Sequence, residues 1–566
     1  MFQKDTLAIR VLAGTNVFFS GVGAIAELVT RSPQKLEFAQ AFASELRKVL
    51  DALEWDDVPV FNKIYSRGMI FAIPTEFDYT YAGCKILSVT FDIVAARFNN
   101  QPELDFDEEI DYLKYVISRE RYITLRNIYN EAQERGLNVY YHDEKITVGS
   151  GKGAFTADVG DIGFDDVPWD SIYDIPSVLV TGTNGKTTTV RLTSFISQHA
   201  GKVVGYCSTD WVMINGNVMS QGDLSGPNGN RAVMTNPEVD VAVLEVARGG
   251  IVKRGLATSH VNGAVVTNVS EDHLGVNGID SVYDLANAKF VVHHAVRADG
   301  INIFNLDDAI TREFVGSYNE NVHALVSQKL SYDEVKPYLR NPADLACLVE
   351  DGQFCVYKDG VKYVIAAVND VDLTYNGIAK HNIENVLVAI ALSISLGRTY
   401  AEISAGLLAF RNSVHNHGRF NLFDVKSNTI MVDYGHNLAS IDNMLKFARS
   451  IAKPESKTTV LLGFSGDRKF MVDSVTKSVV DNKIDYVILK LFTSHLRGAD
   501  VGELVEMLRS SLIRHGFPET NIIATVDTEV EALDLILGNL GHDNIYVLLC
   551  QDEAAEIIEK INKFTE

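Results

Sequence analysis

Short apolar runs recur along this chain, separated by segments of helix length. Residues 178–180, 241–244 and 264–267 are apolar at nearly every position rather than at alternate ones, and 301–305 adds Ile301, Ile303 and Phe304. That pattern predicts strands buried on both faces, as in a mostly parallel sheet. The alternation restarts near residue 413, with runs at 430–433, 459–463, 486–489, 522–524 and 545–549, and predicts a second doubly wound α/β domain. Residues 1–165 read differently, with strands at 7–12, 69–73 and 137–141 and a helix over about 35–53. A further helix is predicted over 121–135, where Leu125, Ile128, Tyr129 and Ala132 fall at helical spacing. The stretch 149–170 is rich in Gly and Asp and is expected to be a linker.

Composition narrows the class. With 566 residues, two to four domains are expected. A hydrophobic share of 46% and a charged share of 22% are those of an ordinary globular protein. The net charge of −23 argues against a nucleic-acid partner, which needs a basic footprint. Cys84, Cys207, Cys347, Cys355 and Cys550 are odd in number, scattered and free of CxxC spacing. A disulfide framework or zinc site is not expected, and a reducing, cytoplasmic setting is. Lys4, Asp5 and Arg10 interrupt the first apolar residues, so no signal peptide is read there, and no apolar run reaches membrane-spanning length.

The candidate chemistry begins at residues 177–189, SVLVTGTNGKTTT. A strand runs into a Gly/Asn turn, then Lys186 and three threonines, then a helix. Gly182, Thr183, Asn184 and Gly185 can aim backbone N–H groups at a polyphosphate, with Lys186 as a mobile cation. Thr187 can hold Mg²⁺, assisted by Thr188. The general P-loop pattern is only partly met, because Val180 stands where its first glycine would be. Glu245 ends the run VAVLE and is a candidate second metal anchor, although alone it reads as readily as an ordinary strand-end carboxylate. Asn268, Asp272 and His273 follow the next strand, and a histidine beside an acid at that place is a candidate metal ligand. Lys289, sixteen residues on, reads by itself as a surface or snorkelling lysine on a helix.

Taken in order, GTNGKTTT, LEVARGG, TNVSEDHLG, DLANAK and FNLDD, then HNIENVLVAIA, HGRF, VDYGHN and GFSGDRK, resemble the Mur ligase family, ATP-dependent enzymes that join a carboxylate to an amino acid through an amide bond. Within it, residues 222–256 and 268–280 are most similar to the C-terminal module of the cyanophycin synthetases, which joins arginine to an aspartate side chain. LRGADVGEL at 496–504 is similar to a late segment of that module. The N-terminal region resembles those synthetases more weakly. Their ATP-grasp half has no counterpart here, since position 155 runs almost directly into the Mur-like module.

The resemblance implies an α/β protein of three domains: an α+β N-terminal domain (1–165) for acceptor binding or assembly, a central P-loop parallel-sheet ATPase domain (171–412) and a C-terminal Rossmann-like domain (413–566). It implies ATP and Mg²⁺ as cofactors. The phosphates and first metal fall to the 182–188 loop, and Mg²⁺ to Glu245 and His273. Lys289 matches a lysine that carries CO₂ as a carbamate. Asn382 and Asn385 match adenine-side residues, and Arg419 and Asp433 match nucleotide residues of the third domain. His436 approaches the acyl phosphate, while Asp467, Arg468 and Arg497 line the amino-acid side. The expected partners are a small-molecule amino acid, basic as in arginine, and an aspartyl-like carboxylate or peptide acceptor, with neither nucleic acid nor membrane; a homo-oligomer is reasonable. Lacking the ATP-grasp half, the chain is not expected to polymerise two amino acids in alternation by itself. Two other readings stand beside the ligase: a P-loop ATPase or small-molecule kinase, and a non-catalytic scaffold for a complete synthetase.

Overall fold

The computed structural model describes residues 2–272, 274–318, 320–464, 466–491 and 501–565. They divide into two compact units. One runs up to Ala366 and includes Glu384–Leu407; the other comprises Ala367–Ile383 and the chain from Leu408 onward.

The first unit opens with an α+β layer. A four-stranded antiparallel sheet has the order Leu7–Leu12, Gly23–Val29, Gly68–Pro74, Phe61–Tyr65. Helix Lys35–Ala52 buries Phe38, Phe42, Leu46 and Val49, one apolar residue per turn, and the Phe42 ring stacks on Phe71 of the sheet at 3.9 Å. The helix read at 121–135 is Ile123–Glu134, burying Leu125, Ile128 and Ala132, while Tyr129 stacks on Phe77 at 4.2 Å.

The segment 149–170 corrects the linker reading. It contributes strand Phe155–Asp158 to a small antiparallel sheet with Val139–His142 and Lys145–Val148. Ile162 and Val167 are buried against Leu125, Ile128 and Ala132, with Phe155 and Trp169 packed alongside. Its Gly and Asp residues supply tight turns between these anchors. They do not form a loose spacer.

The core of the unit is an eleven-stranded sheet among the described residues. Its central strands, Val204–Cys207, Val241–Glu245, Ser177–Thr181, Val261–Val266, Val296–Asn305, Val322–Ser327 and Leu345–Glu350, are mutually parallel. Strand Ser177–Thr181 lies between Val241–Glu245 and Val261–Val266. The residues that follow those three strands therefore share the C-terminal edge of the sheet, where ligands gather in such folds.

The two layers of the first unit are bound by polar contacts. The hairpin turn at Ser66 donates its N–H and hydroxyl to Asp280 at 2.7 and 2.6 Å, and Lys63 pairs with Asp284 at 2.6 Å. Glu27, buried in the N-terminal sheet, accepts from Asn277 Nδ2 at 2.9 and 3.1 Å.

The second unit holds a six-stranded sheet in the order Asn421–Val425, Asn428–Asp433, Ile545–Leu549, Thr458–Leu462, Tyr486–Lys490, Ile522–Val526. Its pairs are parallel except the first, which is a hairpin. This is the Rossmann-like layer that the sequence pattern predicts. Residues 367–383 pack with it: Tyr375 donates its hydroxyl to the Phe420 carbonyl at 2.7 Å, and Asn412 N–H donates to Asp372 at 2.8 Å.

Among the described residues no helix is long and apolar enough to cross a membrane. The five cysteines are free.

Candidate active site

Strand Ser177–Thr181 is buried at every position and ends in the loop 182–185. Gly182 has φ +150°, and a Cβ there would meet Thr267 Oγ1 at 1.8 Å. Gly185 has φ +84°, and its Cβ would meet Asn385 Oδ1 at 2.2 Å. Only glycine fits at either position, for backbone conformation and for space alike. The cradle is fixed from the neighbouring strand end. Thr183 N–H donates to the Asn268 carbonyl and Asn184 N–H to Asn268 Oδ1, both at 2.9 Å. Thr267 Oγ1 and Asn268 Nδ2 donate to the Asn184 carbonyl at 2.6 and 3.1 Å. The loop is thus set in shape before any ligand arrives, which lowers the ordering cost of binding.

Helix Lys186–His199 follows, and Lys186 folds back to donate to the Thr183 carbonyl at 3.0 Å. Thr187 donates its hydroxyl to Glu245 Oε2 at 2.8 Å, and Thr209 donates to Oε1 at 2.8 Å. Glu245 is fully buried. A buried carboxylate held at both oxygens by hydroxyls is oriented by charge-assisted bonds, each contributing about 1.5–3 kcal/mol. The sequence reading missed Thr209. It stands in the turn before strand Trp211–Ile214 with no motif around it, so nothing local announces its role.

Lys289 corrects the surface-lysine reading. It sits on helix Val282–Phe290, is 3% exposed, and donates to the Gly182 carbonyl at 2.7 Å. Burial, with the positive charges of Lys186 and Arg248 outweighing the help of Asp272, holds its amine well below the usual lysine range. The structure therefore brings Lys186, Thr187, Glu245 and Lys289 to one loop. His273 lies outside the described residues.

Asn385 is buried against that loop and is 3.5 Å from the Thr189 hydroxyl. Asn382, on the same helix Lys380–Ser395, is described with the second unit, where its Nδ2 donates to the Leu373 carbonyl at 3.0 Å.

Within the second unit, Asp433 ends strand Asn428–Asp433 and accepts from Phe420 N–H at 2.8 Å and Gly435 N–H at 2.7 Å. Burial raises its carboxyl, and Arg419 opposes the shift. The Arg419 guanidinium lies 4.5 Å from the centroid of the Tyr434 ring, and the Tyr434 and His436 rings are 5.1 Å apart. Arg419, Asp433 and His436 thus form one group at a strand end. Arg468 lies in the 3₁₀ turn Gly466–Met471. The Asp467 side chain and Arg497 lie outside the described residues.

The first-unit site fits a nucleotide triphosphate with a hard cation. Its glycine cradle has no room for a Cβ, and its candidate metal donors are oxygens. Among the described residues no cluster of three His, Cys, Asp or Glu side chains forms a ready-made metal cage. A cation here would take Thr187 and Glu245 together with phosphate oxygens.

Two domain models of one family match this chain. The Mur ligase middle domain matches residues 180–393, and the Mur ligase, glutamate ligase domain, matches residues 418–550. Cyanophycin synthetase of Nostoc sp. is 35% identical over 377 residues, 66% of this chain and 41% of that protein, so the chain spans less than half of its length. The UDP-N-acetylmuramoyl-L-alanyl-D-glutamate--2,6-diaminopimelate ligase of Chlamydia caviae is 24% identical over 61% of this chain and 69% of its own. A crystal structure of MurF from Acinetobacter baumannii superposes with a TM-score of 0.49 at 17% identity, over 68% of this chain and 77% of that one. With the two domain models matched in order around a phosphate loop so constructed, the chain belongs to the Mur ligase family.

Proposed function

We propose that this protein is an ATP-dependent amide ligase that joins an amino acid, basic as in arginine, to an acceptor carboxylate, aspartyl in type. The observation that supports it best is the convergence of Thr187, Glu245 and Lys289 on one glycine cradle. The amino acid and acceptor are taken from the similarity to the cyanophycin synthetases.

In the first step an acceptor carboxylate oxygen attacks the γ-phosphorus, the bond to the ADP oxygen breaks, and an acyl phosphate forms. The amino-acid nitrogen then attacks the acyl carbon, phosphate leaves with the bonding electrons, and the nitrogen sheds a proton. Mg²⁺ supplies charge neutralisation on the phosphoryl group when bound. The loop residues 182–185 would hold the phosphates, Lys186 would balance their charge, and Thr187 and Glu245 with His273 would hold the metal. Asn382 and Asn385 serve the adenine side, Arg419 and Asp433 the nucleotide, His436 the acyl phosphate, and Asp467, Arg468 and Arg497 the amino acid. Residues 1–165 serve the acceptor or the assembly.

Lys289 has the environment for a carbamate. The neutral amine is the form that attacks CO₂, losing one proton, and its surroundings favour that form. The product is an anion suited to a second cation.

The test is ADP formation with amino-acid and aspartyl-acceptor pools supplied singly and together. A ligase releases ADP with both pools and yields a condensation product that disappears in Lys186→Ala. ADP formation that does not depend on the amino acid marks an ATPase or kinase, and none under any pool marks a scaffold or an acceptor outside these pools.

A further inference from the structure

The motif LEVARGG carries one residue that these assignments leave without a role. Strand Val241–Glu245 delivers Glu245, and the chain then passes to the short helix Arg248–Arg254. The connection is pinned: Val246 N–H donates to the Val180 carbonyl of the phosphate-loop strand at 2.9 Å, and Ala247 N–H to the Ser225 carbonyl at 2.7 Å. Arg248 therefore enters from a fixed point beside Glu245. Its Nη1 is shut off from solvent and has no hydrogen-bond partner among the described residues. A buried, unsatisfied guanidinium nitrogen is costly and calls for a ligand or a partner.

Two carboxylates stand close enough to act on that charge, Asp272 and Glu27. Glu27 is already engaged, by Tyr65 Oη at 3.0 Å, Arg10 Nη1 at 3.4 Å and Asn277 Nδ2 at 2.9 Å. Arg248 acts on Lys289, as Lys186 does, and Lys289 donates to the Gly182 carbonyl, so two cations, Lys186 and Arg248, act on that end of the loop. Lys186 belongs to the phosphate loop itself. A ligase of this kind must also bring a carboxylate up to a polyphosphate of the same sign, and a cation apart from the phosphate loop has to hold it there. A guanidinium suits that task, since its planar fork matches a carboxylate through two parallel bonds.

We propose that Arg248 is the anchor for the acceptor carboxylate, holding the oxygen to be activated beside the phosphate loop, with Asp272 and Glu27 keeping the guanidinium oriented. The proposal rests on the ligase reading above.

The experiment measures two equilibria by calorimetry on the whole chain: binding of a non-hydrolysable ATP analogue with Mg²⁺, and binding of tri-aspartate and of tri-glutamate to the nucleotide-loaded protein. Wild type is compared with Arg248→Gln and Arg248→Lys. Arg248→Gln is expected to weaken peptide binding by about 10- to 100-fold, the loss for one charge-assisted pair, with nucleotide affinity within about twofold. Arg248→Lys keeps the charge without the fork and should fall between. Intact nucleotide binding certifies that the variants are folded, and if only one variant folds, it carries the comparison. Weakened nucleotide binding with unchanged peptide binding makes Arg248 a phosphate ligand and overturns the proposal. So does a wild type that binds nucleotide but neither peptide. A wild type that binds no nucleotide defeats the ligase reading instead.

Discussion

At the scale of single residues, the charges this fold buries make the sharpest predictions. Asp174 accepts from Asn138 N–H and Nδ2 at 3.0 and 2.9 Å, yet burial pushes its carboxyl up to about 6. The unfolded value is about 3.9. Between the two, the folded chain keeps a proton that the unfolded chain releases. Stability is therefore greatest below the lower value and falls as pH rises through the upper one. The total is about 3 kcal/mol. Urea midpoints measured from pH 4 to pH 8 should fall for wild type relative to Asp174→Asn; parallel curves would contradict the assignment. In the second unit, Lys490 pairs with the fully buried Glu529 at 2.6 Å and with Asp552 at 3.0 Å. Lys490→Met strands that carboxylate and is expected to cost about 3–5 kcal/mol in thermal or urea unfolding. A loss below about 1 kcal/mol would show that backbone donors alone satisfy Glu529. Neither effect is visible in sequence, because each depends on how far water is excluded from a group whose partners are distant along the chain.

At the scale of elements, the phosphate loop was legible from its residues and its surroundings were not. SVLVTGTNGKTTT announces a strand, a tight turn and a helix by glycine placement and apolar run. That the turn is held by Thr267 and Asn268, and that Thr209 holds the far oxygen of Glu245, required the fold, since those partners lie from 36 to 84 residues away. Lys289 was misread from its helix alone because sequence spacing does not reveal which face meets the loop. Gly182→Ala should abolish nucleotide binding, at least 100-fold in calorimetry, because the new Cβ would lie 1.8 Å from Thr267 Oγ1. Retained binding would mean that the loop can shift by over an ångström. The segment 277–284 links the Asp272 region to the Lys289 helix and is clamped by Glu27, Lys63 and Ser66 of the N-terminal layer. Breaking the buried contact with Glu27→Gln should raise amide exchange across 274–284 while leaving the second unit unchanged. Unaltered exchange there would show that the central sheet holds the segment without help.

At the scale of the whole molecule, the run-and-gap pattern of apolar residues foretold the α/β class, the central parallel sheet and the Rossmann-like sheet, because burial on both faces leaves a continuous apolar signature. It misjudged 149–170, where turn residues between widely spaced apolar anchors look like a spacer. The chain spans 41% of the length of the Nostoc synthetase that it matches. The claim beneath every assignment is that the acceptor carboxylate itself becomes the phosphoryl acceptor. The direct measurement uses an acceptor pool labelled with ¹⁸O in its carboxyl groups, incubated with ATP, Mg²⁺ and the amino-acid pool, with mass spectrometry of the released phosphate. An acyl-phosphate ligase hands one labelled oxygen to each phosphate as the amide forms. Released phosphate without label would place water, rather than the carboxylate, at phosphorus and would contradict the ligase account.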